Sequence, residues 1–303
     1  MQEKATGSNE KETTDNNTPD VEESNFMQNC FVPVRVMNKK WAERFVRGEM
    51  FMRSLSDFGS WNRLKNIGND ALVNNYRGDL DEGAVKTVAN AEEDEIFRCF
   101  PQELKNVMRE RKIIDAGDIP YFNLMCMYCL HYLPNENSFE TPSERLREFV
   151  DTAVVITDMD AFLDRFLERV ERKAGYAFLM DAVTYYSEDK TQRLNPLFNK
   201  TDRYAWQNEL RLAVGRLATG KKLKNGKYPI VKSSEPLKLR IPSLSDIVLQ
   251  ISTAEFIRGA WDKSRVKLVD LTDEKSFAGA AKRKTDEAMR AYVPTAVKPA
   301  FTV

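Results

Sequence analysis

The sequence predicts an α+β fold in which a single domain, residues 25–303, holds a mixed or antiparallel sheet with flanking helices. Two observations predict it. Short apolar segments of strand length alternate along the chain with segments of helical periodicity. No internal repeat or linker interrupts residues 26–295, so one α+β domain is the simplest explanation of the pattern.

The fold is expected to begin with a strand, a helix and a second strand. In residues 31–36 the three valines share one face and Arg35 lies on the other, because successive side chains of a strand alternate. Asn38 is a suitable N-cap for a short helix, and Gly48 is expected to end it. The second strand follows over residues 50–55.

Later elements follow from the same patterns. Asp158 is expected to cap an amphipathic helix, and further helices are expected over residues 101–112 and 276–292. The remaining strands are predicted from short apolar or alternating runs at residues 122–133, 154–156, 177–186, 206–214, 236–241, 247–251 and 266–271.

Charge and composition exclude several classes of protein. Lys and Arg number 46, and so do Asp and Glu, so no global charge favours DNA binding. The chain has a single histidine, His131, which excludes a two-histidine metalloprotease motif. Residues 1–24 contain seven acidic residues against two lysines and almost no large apolar residue. They are therefore predicted to be a disordered acidic tail.

The four cysteines and the hydropathy of the chain bear on its compartment. Cys126 and Cys129 form a single Cys-x-x-Cys pair without a second half-site, so buried structural thiols and no metal are expected. No apolar run is long enough for a membrane span, and residues 1–24 do not resemble a signal peptide. We therefore expect a cytoplasmic protein that does not enter a membrane.

The predicted strand that ends at Val214 carries the first candidate site. Alternation places Gln207, Glu209 and Arg211 on one face, opposite the apolar face of the strand. A carboxylate on a rigid strand can stabilise a cationic transition state or bind a sugar hydroxyl. The same pattern is equally typical of an edge strand with a solvated outer face, so both interpretations remain open.

Arg35 is the second candidate. A planar guanidinium on a strand suits phosphate or pyrophosphate, because it can donate two charge-assisted hydrogen bonds at once. The alternative is an ordinary surface arginine.

These segments together resemble the ADP-ribosyltransferase superfamily. The resemblance rests on a strand with Arg35, a helix that ends at Gly48, a second strand, and a late strand with Gln207-x-Glu209. It implies that Arg35 contacts the phosphates of NAD and that Glu209 binds the nicotinamide ribose and promotes glycosidic cleavage. Gln207 would orient the acceptor, which is a protein or a nucleic acid.

The resemblance also implies secondary contacts with NAD. Arg77 is a candidate second phosphate contact, and Ser54 and Tyr204 are candidate contacts near the cofactor. The Ser-Thr-Ser strand of that superfamily has no counterpart here, since residues 181–187 contain only Thr184 and Ser187 at comparable places.

A second resemblance covers most of residues 30–255. The segments 45–58, 77–83 and 126–128 and the Glu-x-Arg strand at Glu209 are similar to those of uncharacterised bacterial and phage proteins, some of which look like components of phage–host conflict. This resemblance implies a toxin or defence effector and carries no established activity.

Two other hypotheses use different residues. A non-enzymatic interaction protein would use the loop at residues 77–83 and the lysine-rich segment 219–232 as contact surfaces. A metal-dependent nuclease or nucleic-acid-binding protein would rely on the acidic residues at 79–82 and on the same lysines. The sequence does not predict an oligomeric state.

Overall fold

The centre of the fold is one long apolar strand, residues 123–133, which has neighbours along both edges. The structure is a computed structural model, and it describes residues 30–55, 84–87, 112–114, 121–148, 151–172, 175–187, 192–217, 230–233 and 235–290. The expected tail at 1–24, the loop at 77–83 with Arg77, nearly all of the helix expected at 101–112, and most of the lysine-rich segment lie outside these residues.

The strands and helices are as follows. The strands are β1 (Cys30–Met37), β2 (Glu49–Ser54), β3 (Ala84–Thr87), β4 (Lys112–Ile114), β5 (Asn123–Leu133), β6 (Ser138–Phe139), β7 (Thr152–Ile156), β8 (Tyr176–Ala182), β9 (Thr184–Tyr186), β10 (Gln192–Arg193), β11 (Asn199–Thr201), β12 (Glu209–Arg216), β13 (Leu237–Arg240), β14 (Val248–Ser252) and β15 (Val269–Asp270). The α-helices are α1 (Lys39–Val46), α2 (Met159–Arg172), α3 (Thr253–Ile257) and α4 (Phe277–Arg290).

Ten of these strands form one sheet in which every pair is antiparallel. Its main order is β14-β7-β1-β5-β12-β8, with β15 beside β1 and β6 beside β5. β2 pairs with the first residues of β5, and β13 pairs with β2. The sheet and its helices confirm the predicted α+β single domain.

The two faces of the sheet are buried against different layers. Helices α1, α2 and α4 cover one face, where Phe45, Phe162 and Phe166 pack against β5 and β12. Helix α3 and residues 144–148 cover part of the other face, against the valines of β1. Burial of apolar side chains on both faces explains why the central strands are continuous apolar runs.

The residues predicted to cap α1 and α2, and the glycine predicted to follow α1, have the roles that the sequence indicates. The Asn38 side chain accepts a hydrogen bond from the backbone N–H of Trp41, and that of Asp158 accepts one from Ala161 at 3.0 Å. Gly48 has φ +85°, and a Cβ there would lie 2.2 Å from the carbonyl oxygen of Ile241. Only glycine fits this sharp entry into β2.

The expected strand at 206–214 is partly wrong. Residues 202–207 form a 3-10 helix, Asn208 adopts the left-handed conformation with φ 40°, and β12 begins only at Glu209. Asparagine tolerates that conformation better than most residues. β12 lies between β5 and β8, so it is a central strand, and the interpretation as a solvated edge strand is wrong as well.

Among the described residues, no helix is long and apolar enough to cross a membrane.

Candidate ligand-binding site

The candidate site lies where β1 and β2 separate along one edge of β5. β1 pairs with residues 128–131 of β5, whereas β2 pairs only with residues 123 and 124. Arg35 reaches into the space between them and donates a hydrogen bond from Nη1 to the carbonyl oxygen of Cys126. An arginine side chain therefore satisfies a backbone acceptor at a place where neither strand pairs with β5.

Beside this separation lies a cavity of about 310 Å³. Its described walls come from β1, α1, β2 and β5, and their side chains are those of Arg35, Met37, Asn38, Trp41, Phe45, Glu49, Phe51, Arg53 and Met125. The volume is at the lower end of the range typical of small-molecule sites. We call this space the Arg35 cavity.

Two of the aromatic residues that line the Arg35 cavity each have an arginine side chain against the ring. The rings of Trp41 and Phe51 lie 6.0 Å apart at 30° to each other, and Trp41 is 42% exposed. The guanidinium groups of Arg44 and Arg53 lie 4.7 Å and 5.9 Å from the centres of these two rings, within the distance of cation–π contacts.

Glu49, in the cavity wall, already forms ion pairs with two arginine side chains. Its Oε2 accepts a hydrogen bond from Arg44 Nε at 2.7 Å, and Arg47 Nε lies 3.7 Å from Oε1. The hydrogen bond from Arg44 lowers the pKa of Glu49 below its ordinary value, so this carboxylate is ionised at neutral pH.

Arg35 itself is half-buried, and its Nε is shielded from solvent. Burial lowers the pKa of its guanidinium, whereas the neighbouring Cys126 and Glu209 raise it. An arginine stays protonated under such opposing effects because its ordinary pKa is above 12. None of the described residues is a hydrogen-bond partner of Nε.

Glu209, the other residue of the expected site, is buried in an ionic cluster. Arg211 Nε donates to Oε1 at 2.9 Å, and Lys200 Nζ donates to Oε2 at 3.2 Å. Glu209 is 7% exposed and Arg211 is 1% exposed. Burial raises the pKa of Glu209, but the charges of Arg211 and Lys200 outweigh it and hold this pKa well below its usual range.

The side chains of Arg35 and Glu209 project from opposite faces of the sheet. Arg35 is the cross-strand partner of Val154, which belongs to the core beneath α2, whereas Glu209 is opposite Tyr128, in the core beneath α3. They meet at Cys126, whose carbonyl accepts a hydrogen bond from Arg35 and whose thiol is close enough to Glu209 to help lower the pKa of its carboxylate.

The other predicted site residues that the structure describes lie apart from the Arg35 cavity. Gln207 is in the 3-10 helix and accepts a hydrogen bond from Lys200 Nζ at 2.8 Å, so it belongs to the Glu209 cluster. Tyr204 is buried with Lys200 Nζ 5.1 Å from the centre of its ring. Ser54 is fully buried at the end of β2 opposite Asn123.

The cysteines of the Cys-x-x-Cys pair lie on opposite faces of β5. Cys126 packs with Leu124, whereas Cys129 packs in the core beneath α2, and both thiols are free. Burial raises the pKa of both thiols, which makes them poor nucleophiles. In the part of the chain that the structure describes, no three His, Cys, Asp or Glu side chains are grouped to hold a metal ion.

The sequence indicated Arg35 as a candidate site residue, but it did not indicate the other side chains that line the Arg35 cavity. Trp41 and Phe51 were unremarkable aromatic residues of a helix and a strand, and only the turn at Gly48 brings them together. The alternation in β2, which exposes Arg53 and half-exposes Phe51, was the available signal.

Comparison of the chain with protein-family models, with curated proteins and with solved structures finds no match. The fold and the site therefore define the class of this protein by themselves. It is an α+β protein whose antiparallel sheet is split between β1 and β2, with an arginine-containing cavity at the split.

Proposed function

We propose that the protein binds a nucleotide in the Arg35 cavity, with a phosphate group against Arg35 and a planar ring against Trp41. The observation that carries the proposal is the combination of a half-buried arginine with a partnerless Nε and an exposed tryptophan in the walls of one cavity. A phosphate requires hydrogen-bond donors and positive charge, and a nucleobase requires a flat apolar surface.

Arg35 supplies the phosphate contact. Its Nη1 is already committed to the carbonyl of Cys126, which fixes the plane of the guanidinium relative to β5. A fixed guanidinium loses little conformational entropy when it binds a ligand, and partial burial strengthens its attraction for an anion.

Trp41 and Phe51 supply the ring contact. Stacking of a base on an aromatic side chain contributes about 1–3 kcal/mol per base. Arg44 and Arg53 lie against the same two rings, so they add positive charge beside the stacked ring. The cavity volume of about 310 Å³ fits a small ligand or one end of a longer one.

The finer form of the proposal is the one that the resemblance implies. The ligand is then NAD, Arg35 holds its phosphates, and Glu209 promotes cleavage of the nicotinamide bond for transfer to a protein or nucleic-acid target. In this structure the two residues lie on opposite faces of the sheet, and Lys200 and Arg211 occupy the carboxylate of Glu209. This finer form therefore requires both a rearrangement around β5 and release of a carboxylate oxygen. Nucleotide binding does not depend on that step, so the two parts are tested separately.

Nucleotide binding is tested by calorimetric titration of ADP, ADP-ribose and NAD. Tripolyphosphate, which lacks a ring, and adenosine, which lacks a phosphate, are the comparison ligands. We expect the nucleotides to bind more tightly than either, and Trp41→Ala to weaken their binding about 5- to 150-fold through loss of stacking. Phe277→Ala is the matched control, because Phe277 is also an exposed aromatic residue but lies on α4.

NAD cleavage is tested by release of nicotinamide in the presence of cell lysate as the source of an acceptor. Release by the wild type that disappears in Arg35→Lys, while the variant stays folded, supports NAD as the ligand of the Arg35 cavity. Release that also disappears in folded Glu209→Gln supports the role of Glu209 in cleavage. Binding of NAD without any release leaves nucleotide binding in place and rejects the role of Glu209 in cleavage. Absence of nucleotide binding rejects both.

A further inference from the structure

A second, larger cavity lies at the opposite end of β1. Its volume is about 740 Å³, and its described walls include Phe31, His131, Ala182, Thr184 and one face of α4. It shares no described lining residue with the Arg35 cavity. We call it the His131 cavity.

The charged side chains in the wall of the His131 cavity are largely matched to one another. Lys282 Nζ lies 3.2 Å from Asp181 Oδ2 and 2.5 Å from Asp286 Oδ1, and Arg283 pairs with Glu274 at 3.0 Å. Burial raises the pKa of Asp181 above its ordinary value, although Lys282 opposes this effect. A wall of internally paired charges favours an uncharged polar ligand over an ion, because an ion would have to break these pairs.

The orientation of the Asn208 amide is fixed by its neighbours. Its Nδ2 donates to the carbonyl oxygen of Cys129 at 2.7 Å and to Glu140 Oε1 at 2.9 Å. The reversed amide would place its oxygen against both of these acceptors, which is unfavourable. Asn208 Oδ1 therefore faces His131 Nε2 at 3.0 Å, and it can only accept.

The tautomer of His131 follows from this orientation. Since Asn208 Oδ1 is an acceptor, Nε2 of His131 must carry the proton of this hydrogen bond. In the neutral imidazole, Nδ1 is then an acceptor. Nδ1 is buried, and no residue in the described part of the chain is a hydrogen-bond partner for it. A buried acceptor without a partner is costly, and such groups in native proteins commonly have a functional explanation.

We infer that the His131 cavity binds an uncharged polar small molecule that donates an N–H or O–H hydrogen bond to Nδ1 of His131. The Asn208 amide holds the imidazole in the tautomer that accepts this bond. Because Nδ1 is shielded from solvent, the ligand reaches it by displacing a neighbouring side chain of the wall. Phe31 is such a neighbour, with its ring centre 5.9 Å from that of His131.

The single histidine of the chain makes the test unambiguous, because every imidazole nitrogen signal belongs to His131. Long-range proton–nitrogen NMR spectra of ¹⁵N-labelled protein at pH 8 report the tautomer directly. We expect the Nε2–H form. Acetamide, an uncharged N–H donor, is then titrated as the probe, and trimethylamine N-oxide, which can only accept, is the control.

We expect the Nδ1 signal to shift saturably with acetamide and not with trimethylamine N-oxide. Ala182→Leu and the more exposed Thr184→Leu place extra atoms in the cavity wall, and each variant that retains the wild-type circular dichroism spectrum should lose the acetamide shift. The inference is overturned by the Nδ1–H tautomer, by the absence of a saturable acetamide shift in the wild type, or by an unchanged shift in Thr184→Leu.

Discussion

Arg35 and Glu209 lie on opposite faces of the sheet, yet both interact with the same residue, Cys126. Arg35 uses the carbonyl of that residue and Glu209 uses its thiol. Their charges also act on each other: burial lowers the pKa of Arg35, and the charge of Glu209 opposes that shift. The cluster around Glu209 therefore supports the wall of the Arg35 cavity from the other side of β5.

Replacement of Glu209 should destabilise the fold. Glu209→Gln removes the counter-charge of two buried cations, Lys200 and Arg211, and loss of one member of a buried ion pair costs about 3–5 kcal/mol. Urea unfolding measures this cost. Glu235→Gln is the matched control, because Glu235 is 81% exposed and 3.7 Å from its arginine. Wild-type stability in Glu209→Gln would mean that the carboxylate is free for a catalytic role.

The stability of the protein should fall on acidification in a way that depends on Glu209. Its pKa is depressed in the folded state, so the unfolded chain, with an ordinary value of about 4.3, binds the proton more readily. The stabilisation by Glu209 is complete when the pH is above its pKa in the unfolded chain. It is lost as the pH falls towards its lower pKa in the folded state. The free-energy difference between wild type and Glu209→Gln should therefore be largest near pH 7 and shrink below about pH 4. A difference that grows on acidification contradicts the ion cluster.

The Asn208 amide, in its observed orientation, should contribute to the stability of the fold. Asn208→Asp replaces a double donor by an acceptor that faces the carbonyl of Cys129 and the carboxylate of Glu140. We expect a loss of about 1–3 kcal/mol in the free energy of unfolding. Glu140→Gln introduced into the same chain supplies a donor and should recover part of the loss. Additive effects of the two changes would show that the residues do not interact.

Gly48 should not tolerate a side chain. Gly48→Ala forces a left-handed conformation that costs an L-residue about 1–2 kcal/mol, and its Cβ would collide with the carbonyl oxygen of Ile241. Because Gly48 joins α1 to β2, the change should also move Phe51 relative to Trp41 and weaken nucleotide binding. Thermal unfolding and ADP titration measure the two effects. Unaltered stability would contradict the close approach at this turn.

Local signals in the sequence predicted much of the fold. Asn38 and Asp158 cap their helices as expected, and the apolar run at residues 122–133 is the central strand. These features depend on residues within a few positions of one another, so a single sequence contains the information needed.

The parts that were missed depend on contacts between distant residues. The spacing of Gln207, Glu209 and Arg211 suggested one solvated face, but pairing of β12 with both β5 and β8 buries the last two of them. Asn208 and His131 are 77 residues apart, and only antiparallel packing of β5 beside β12 brings them to 3.0 Å. Polar residues at buried positions are read as surface residues when their partners are unknown.

The central claim is that a phosphate group of the ligand binds Arg35. Its most direct test is a calorimetric comparison of ADP and adenosine in the wild type and in Arg35→Lys, which keeps the charge but loses the planar fork. We expect about 10- to 100-fold weaker binding of ADP in the variant, and unchanged binding of adenosine. Equal losses for both ligands, or no binding of ADP by the wild type, would contradict it.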